Sequence, residues 1–176
     1  MNLYPTPLNG CIVLTPIIFP DHRGCFFEPY NKDVFDEALG YEVNFVQDNE
    51  SFSTKGTLRG LHFQKGNYAQ AKLIRVVQGS VLDVAVDLRE NSPTFGKHFS
   101  IELSSENKKQ LFIPRGFAHG FVVLSDTAIF SYKCDNYYHK ASERGIIYND
   151  PTLNIDWKLP MDQLKLSKKD LELQQF

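Results

Sequence analysis

The fold is decided by Val81-Leu-Asp-Val-Ala-Val-Asp-Leu88, where apolar side chains occupy both faces of an extended chain. Alternate side chains of a strand point to opposite faces. The pattern therefore predicts an interior strand, either between two layers or inside a barrel. Asp83 and Asp87 share one face and need partners, because an unpaired buried charge is costly. We expect Asp87 to form a salt bridge at the strand end, whereas Asp83 either has a structural partner or lines a polar cavity.

Further short strands are predicted on both sides of this segment, at residues 10–19 (broken at Pro16), 25–30, 57–64, 70–79, 99–103, 111–113 and 120–133. Asn31 and Gly40 have the residue types of an N-cap and a stop for a helix over residues 32–39. Ser167-Lys-Lys-Asp-Leu-Glu172 is typical of a capping box that opens a terminal helix. Many short strands joined by glycine turns indicate a sandwich or a closed barrel of jelly-roll type.

Length and composition narrow the function classes. The chain has 176 residues, 42% of them hydrophobic and 23% charged, which is ordinary for one globular domain. The aromatic fraction of 13% favours strands, where planar side chains pack across a pleated surface. The net charge of −2 and the scattered basic residues give no nucleic-acid footprint. No apolar run is long enough to span a bilayer, and no signal pattern opens the chain. We therefore expect a cytoplasmic protein without a nucleic-acid or membrane partner.

The three cysteines argue against a disulfide scaffold and a zinc site. Cys11, Cys25 and Cys134 are odd in number and lack the C-x-x-C spacing. Each is expected to behave as a small apolar residue of a strand in a reducing compartment.

Chemistry-bearing side chains concentrate in Thr57-Leu-Arg-Gly-Leu-His-Phe-Gln64 and Gln70-Ala-Lys-Leu-Ile-Arg75. Arg59, His62, Gln64 and Lys72 lie there on two successive predicted strands. A guanidinium, an imidazole and an ammonium on rigid elements suit an anionic substrate and proton transfer. The segment predicts a catalytic or binding site.

Across nearly its whole length the chain carries a series of short motifs in a fixed order. They are Asp21-His-Arg-Gly-Cys-Phe-Phe-Glu28, Phe45-Val-Gln-Asp-Asn49, Leu58-Arg-Gly-Leu-His-Phe-Gln64, Gln70-Ala-Lys72, Asp83-Val-Ala-Val-Asp-Leu-Arg89, Ser92-Pro-Thr-Phe-Gly96, Ile113-Pro-Arg-Gly-Phe-Ala-His-Gly-Phe121, Tyr132-Lys-Cys134 and Asn149-Asp-Pro151. In these motifs the chain resembles the sugar-nucleotide 3,5-epimerases that make dTDP-linked rhamnose precursors.

The resemblance implies a mainly β fold, a cupin-type double-stranded β-helix with a few short peripheral helices. It implies one epimerase domain over residues 1–176, with the jelly-roll core at about 10–134 and a loop and helix segment at about 135–176. It also implies a homodimer that needs no metal and no organic cofactor. In agreement, His62 and His119 stand alone, whereas metal-binding cupins cluster their histidine ligands.

For the reaction, the resemblance implies four catalytic residues. Epimerisation beside a ketone needs a base, an acid across the sugar ring and a cation at the enolate oxygen. His62 suits the base, with Asp170 implied as the carboxylate that orients it. Tyr132 suits the acid, and Lys72 suits the developing oxyanion.

For the nucleotide, guanidinium groups suit a diphosphate, which makes Arg59 and Arg23 the candidates. The resemblance implies that Tyr138 stacks on the thymine ring, and that Arg23 and Glu28 reach the neighbouring subunit's site. It adds further binding positions at Gln47, Asp48, Asn49, His119, Glu143 and Lys169, where Lys168 beside Lys169 leaves the alignment open.

The expected reaction converts dTDP-4-dehydro-6-deoxy-D-glucose to dTDP-4-dehydro-L-rhamnose by inverting C3 and C5 through enolates. The same residues would serve an epimerase acting at C3 alone or a 3,4-ketoisomerase on a related dTDP-keto sugar. From other classes, a metal-dependent cupin and a sugar-binding cupin remain as alternatives.

Overall fold

A computed structural model describes all residues from Met1 to Phe176. Thirteen strands and two helices follow along the chain as β1 (Asn2–Pro5), β2 (Ile12–Thr15), β3 (Ile18–Asp21), β4 (Gly24–Phe27), α1 (Lys32–Leu39), β5 (Gln47–Thr54), β6 (Leu58–Gln64), β7 (Lys72–Gln78), β8 (Ser80–Asp87), β9 (His98–Ser104), β10 (Gln110–Ile113), β11 (Phe117–Val123), β12 (Thr127–Cys134), β13 (Glu143–Gly145) and α2 (Lys168–Leu171). Single 3₁₀ turns lie at Gly66–Tyr68, Lys140–Ser142 and Met161–Gln163.

Two antiparallel sheets carry the fold. The first has six strands in the order β1-β2-β10-β7-β12-β5, and the second has five in the order β13-β6-β11-β8-β9. A separate hairpin is formed by β3 and β4. The non-sequential strand order confirms the predicted cupin-type jelly roll. None of the helices is both long enough and apolar enough to cross a bilayer.

Strand β8 has apolar side chains buried on both faces, as its sequence predicted. Val81 and Ala85 belong to the cluster packed between the two sheets, together with Phe121 and Phe130. The opposite face of β8 packs into a second cluster, which Trp157 of the C-terminal segment helps to cover. The five-stranded sheet is therefore covered on both sides.

The predicted salt bridge of Asp87 is confirmed. Its Oδ2 lies 2.7 Å from Nη2 of Arg89 and also accepts hydrogen bonds from Ser92 and Thr94. Burial raises the pKa of the Asp87 carboxyl, but these hydrogen bonds outweigh burial and hold it well below its usual range. The network fixes the end of β8 to the loop that follows it.

Both predicted helices form with the expected caps. The Asn31 side chain accepts a hydrogen bond from Val34 N at the start of α1, and Gly40 ends the helix in the left-handed conformation, with φ of 79°. Ser167 caps the single turn of α2 by accepting from Asp170 N.

The sheets extend beyond the predicted core of residues 10–134. Strand β1 pairs with β2, and β13 pairs with β6, so both ends of the chain contribute to the sheets. These strands have four and three residues, too few for an apolar alternation to be visible. Among the cysteines, Cys11 and Cys134 are buried as predicted, whereas Cys25 on β4 is exposed.

Candidate active site

One cavity of about 460 Å³ collects most of the predicted site residues. It opens between the two sheets, and its walls are shared between them and helix α2. The predicted residues that line it are His62, Tyr132, Lys72, Asp170, Asn49, Arg59, His119, Tyr138, Glu143 and Lys169. Of the two lysines that the sequence left open, the structure brings Lys169 to the cavity.

His62 and Asp170 form a hydrogen-bonded pair at the cavity wall. Nε2 of His62 lies 2.6 Å from Oδ1 of Asp170, which α2 delivers from 108 positions along the chain. The other carboxylate oxygen of Asp170 accepts from Ser167 Oγ at 2.8 Å. Nε2 therefore donates to the carboxylate, which leaves Nδ1 of the neutral imidazole as a proton acceptor.

The electrostatics of this pair favour an ionised carboxylate. Burial raises the pKa of Asp170, but the hydrogen bonds from His62 and Ser167 outweigh burial and hold it below its ordinary value. A negative charge behind the ring stabilises the imidazolium that forms once Nδ1 has taken a proton. The side chain of His62 is 31% exposed, so it is open to a ligand in the cavity.

Lys72 enters the cavity from the opposite sheet. It begins β7, is only 9% exposed and makes no hydrogen bond or ion pair. Burial lowers the pKa of this ammonium, and nearby acidic groups reverse only part of the effect. A buried cation without a fixed partner is arranged to receive an anionic atom of a ligand.

Tyr132 lies beside Lys72 on the same sheet. Strand β12 pairs with β7, and the ring of Tyr132 packs against Phe130, with 5.9 Å between ring centroids. Burial raises the pKa of the Tyr132 hydroxyl to about 12, so this group stays protonated at neutral pH. His62 belongs to the five-stranded sheet and Tyr132 to the six-stranded sheet, so the imidazole and the phenol come from opposite walls.

Arg59 and His62 reach the same cavity although they are three residues apart. In a regular strand, residues at this spacing point to opposite faces. The pairing of β6 with β11 shifts register between His119 and Phe121, and this irregularity turns both side chains inward. Arg59 is exposed and its guanidinium bonds only Ser53, with Nε and Nη2 each 3.3 Å from Oγ.

An ionic and aromatic cluster closes one rim of the cavity. Glu143 accepts from Tyr138 Oη at 3.0 Å and pairs with Lys169 at 2.5 Å. Burial raises the pKa of Glu143, but the bonds from Lys169 and Tyr138 outweigh it and keep the carboxyl below its ordinary value. The Tyr138 ring is half exposed, which leaves its face open to a planar group.

The remaining predicted positions lie outside this cavity. Gln47 borders it, since its side chain donates to Asn49 and accepts from Tyr138 N. Asp48 points to the outer face of its sheet, where it pairs with Lys133. Arg23 and Glu28 lie in and beside the exposed β3–β4 hairpin, away from the cavity of their own chain.

Several residues that line the cavity were not among the predicted catalytic or binding residues. They are Glu50, Ser51, Phe63, Gln64, Gln70, Phe121, Phe130 and Ser167. Gln64 and Gln70 are buried polar residues inside the motifs Leu58-Arg-Gly-Leu-His-Phe-Gln64 and Gln70-Ala-Lys72, and their position next to charged residues was the available signal. Phe121 and Phe130 stack with ring centroids 3.9 Å apart and form an apolar floor.

His119 forms a second pair with a carboxylate. Its Nε2 lies 2.9 Å from Oδ2 of Asp83, which is fully buried behind the cavity wall. The structural partner that the sequence left open for Asp83 is therefore this histidine. Each of the two cavity histidines bonds its own carboxylate, and no three His, Cys, Asp or Glu side chains converge on one point.

Known proteins are similar to this chain in sequence and in fold. The family model described as dTDP-4-dehydrorhamnose 3,5-epimerase matches residues 5–176. The enzyme of that name from Shigella flexneri is 54% identical over 176 residues, which are 100% of this chain and 96% of that protein. The crystal structure of the enzyme from Elizabethkingia anophelis superposes with a TM-score of 0.97 at 57% identity, covering 100% of this chain and 96% of that one.

A third relative was solved with a bound sugar nucleotide. The dTDP-6-deoxy-D-glucose-3,5-epimerase of Legionella pneumophila, in complex with dTDP-4-keto-L-rhamnose, superposes with a TM-score of 0.94 at 49% identity. The similarity covers 99% of this chain and 92% of that structure. The chain therefore belongs to the dTDP-4-dehydrorhamnose 3,5-epimerase family.

Proposed function

We propose that this chain inverts C3 and C5 of dTDP-4-dehydro-6-deoxy-D-glucose and so forms dTDP-4-dehydro-L-rhamnose, an isomerase step of dTDP-rhamnose biosynthesis. One observation carries the proposal. The hydrogen-bonded His62 and Asp170 lie in one cavity opposite the phenol of Tyr132 and the buried ammonium of Lys72. Family membership and these positions point to the same chemistry. We further propose that residues 1–176 act as one epimerase domain.

In the first half-reaction, Nδ1 of His62 takes the proton from the carbon beside the C4 ketone. The electron pair of the broken C–H bond forms the enolate, and the charge moves to the C4 oxygen. Lys72 stabilises this oxygen because its ammonium is desolvated and has no competing partner. Since C3 and C5 both flank C4, one ammonium serves the enolates of both inversions.

In the second half-reaction, Tyr132 donates its hydroxyl proton to the opposite face of the carbon. The hydroxyl is a weak acid, with burial raising its pKa to about 12, so it is retained until a strongly basic carbanion forms. His62 then loses its proton to solvent and Tyr132 regains one, which restores the starting state. The net change is the inversion of one centre with one solvent hydrogen incorporated.

Arg59, Tyr138 and their neighbours form the nucleotide end of this site. The Arg59 guanidinium is exposed and holds only one serine hydroxyl, so its fork is available to a diphosphate. Tyr138 offers an exposed ring face for the thymine base. Gln47, Asn49, His119, Glu143 and Lys169 complete the proposed contacts, while Asp48 would have to leave Lys133 to join them.

We propose a homodimer in which each subunit completes the other's site. The β3–β4 hairpin exposes apolar side chains of Ile18, Phe19 and Phe26, an unusual surface for a solvated hairpin. Arg23 and Glu28 belong to the same projecting segment, and a partner subunit would receive them at its cavity rim. The free cysteines suit a reducing compartment, so we also propose a cytoplasmic location.

Incubation with dTDP-4-dehydro-6-deoxy-D-glucose in deuterated water tests the proposed reaction. Nuclear magnetic resonance should show deuterium at both C3 and C5 of a product with the L-rhamno configuration. Label at C3 alone would establish the rival epimerase that acts at one carbon. A product with its ketone at a new carbon would establish the ketoisomerase. Binding of the sugar nucleotide without any solvent exchange would show that the chain is a binding protein and not an epimerase.

Replacing Tyr132 by phenylalanine separates proton removal from proton return. The variant keeps His62 and Lys72, so hydrogen at C3 should still exchange with deuterated water. The fraction of exchanged sugar that emerges inverted should fall at least tenfold, because the acid on the opposite face is missing. Tyr137→Phe, an exposed tyrosine outside the cavity, is the matched control. An unchanged ratio of inversion to exchange would remove Tyr132 from the acid role.

A further inference from the structure

Asp83 is a buried carboxylate that has no role in the mechanism proposed above. Its side chain is fully buried on the inward face of β8, and only Oδ2 has a partner, Nε2 of His119 at 2.9 Å. Oδ1 is buried and accepts no hydrogen bond. In the neighbouring pair both oxygens of Asp170 are bonded, one by His62 and one by Ser167.

A half-satisfied buried carboxylate costs folding free energy, so it persists where function offsets that cost. A cation is nearby, because Asp83 is among the groups that act electrostatically on Lys72 and raise its pKa against the larger effect of burial. Lys72 itself has no ion pair. Lys72 and Asp83 belong to facing sheets of the same barrel, and His119, which bonds Asp83, lines the cavity together with Lys72.

Besides Asp83, the groups that act electrostatically on Lys72 are Cys134, Asp135 and Glu143. The ionisable side chains that line the same cavity are Glu50, Arg59, His62, His119, Tyr132, Tyr138, Glu143, Lys169 and Asp170. Burial raises the pKa of the Cys134 thiol to about 11, so this group is neutral at cell pH. Asp135 bonds Arg115 at 2.7 Å, and Glu143 pairs with Lys169 at 2.5 Å. Among the carboxylates that act electrostatically on Lys72, Asp83 is thus the one that has no ion pair with a lysine or arginine.

We propose that Asp83 is a positioning residue for the epimerisation, holding His119 through Nε2 and supplying the negative charge that keeps Lys72 a cation in the empty cavity. This inference rests on the proposed function, since it assigns Asp83 to the ammonium that stabilises the enolate. His119 connects the carboxylate to the cavity wall, and its ring stacks on Phe130 with 5.9 Å between centroids. Asp83 itself does not line the cavity.

Asp83→Asn tests this assignment, because the amide keeps the shape and can still accept from His119 Nε2. Without the carboxylate charge, burial acts on Lys72 with less opposition and its pKa falls further. Lys72 works in its protonated form, so activity is lost at a lower pH. The alkaline limb of the kcat/KM profile, which reports the free enzyme, should move down by about one pH unit or more.

Asp87→Asn is the matched control, since Asp87 is buried on the same face of β8 but paired with Arg89. This variant should lose stability in thermal unfolding and leave the alkaline limb in place. His119→Gln keeps the Asp83 charge. The alkaline limb of its kcat/KM profile should therefore stay at the wild-type pH or move to higher pH, even if kcat/KM itself falls. This second variant tests the inference even where Asp83→Asn does not fold.

A kcat/KM profile of Asp83→Asn that superimposes on the wild-type profile overturns the inference. A loss of kcat/KM of equal size at every pH also overturns it, because it would indicate a purely structural role. A downward shift of the limb in His119→Gln would also overturn it. The two proposals fail separately. Wild-type protein without solvent exchange refutes the epimerase function, whereas active wild type with an unshifted Asp83→Asn profile refutes only the role of Asp83.

Discussion

Replacing His62 by alanine is expected to lower kcat by about 10²–10⁴-fold, the range that a positioned general base contributes. His119 also has a carboxylate behind it, but its side chain is 10% exposed against 31% for His62, and its ring stacks on Phe130. Exchange at C3 and at C5 should fall together, since one imidazole begins both inversions. Steady-state kinetics and solvent exchange measure the two effects.

The affinity for dTDP separates loss of chemistry from loss of binding. The nucleotide end of the cavity is built from other residues, so calorimetry should give the same dissociation constant for wild type and His62→Ala. His139→Ala is the matched control, because this histidine stacks on Tyr68 outside the cavity. A loss of kcat below tenfold, or a parallel loss of dTDP affinity, would contradict the base assignment.

Replacing Lys72 by methionine is expected to have the second-largest effect, a fall in kcat of about 10²–10³-fold, typical for one lost oxyanion-stabilising group. The same change should stabilise the fold, because it removes a buried ammonium with no ion pair and keeps most of the apolar stem. We expect the melting temperature to rise by roughly 2–4 °C, the shift given by about 1 kcal/mol in a chain of this size.

Opposite changes in activity and stability are the signature of a charge held for function. Lys97→Met, at an exposed lysine before β9, should change neither quantity appreciably. Calorimetric unfolding and steady-state kinetics on the same preparations give the comparison. If Lys72→Met loses stability along with activity, the ammonium stabilises the folded protein, and the view that its charge is kept only to stabilise the enolate is wrong.

The parts of the fold that the sequence revealed are those with an apolar or capping pattern. Strand β8 was visible because both its faces are apolar, and α1 because Asn31 and Gly40 mark its ends. Strand β5 was missed for the opposite reason. Its less exposed side chains, Gln47, Asn49, Ser51 and Ser53, are polar, so no apolar alternation marks it.

The site, like the fold, has features that the sequence predicted and features that only the structure reveals. The resemblance named His62, Tyr132, Lys72 and Asp170, but the local features that bring these groups and Arg59 together depend on tertiary structure. Asp170 comes from a one-turn helix far along the chain, and Arg59 joins His62 only through the register shift between β6 and β11. The partner of Asp83 was equally hidden, since His119 meets it across neighbouring strands.

In the proposed mechanism, His62 removes a proton from one face of the hexose and Tyr132 returns one to the opposite face, with the Lys72 ammonium at the C4 oxygen. A crystal structure with dTDP-L-rhamnose, which lacks the ketone and does not react, tests it most directly. We expect His62 Nδ1 and Tyr132 Oη on opposite faces of the ring, each within about 3.5 Å of C3 or C5, and Lys72 Nζ bonded to the C4 oxygen. A ring with both groups on one face, or with Lys72 directed away from C4, would contradict the account.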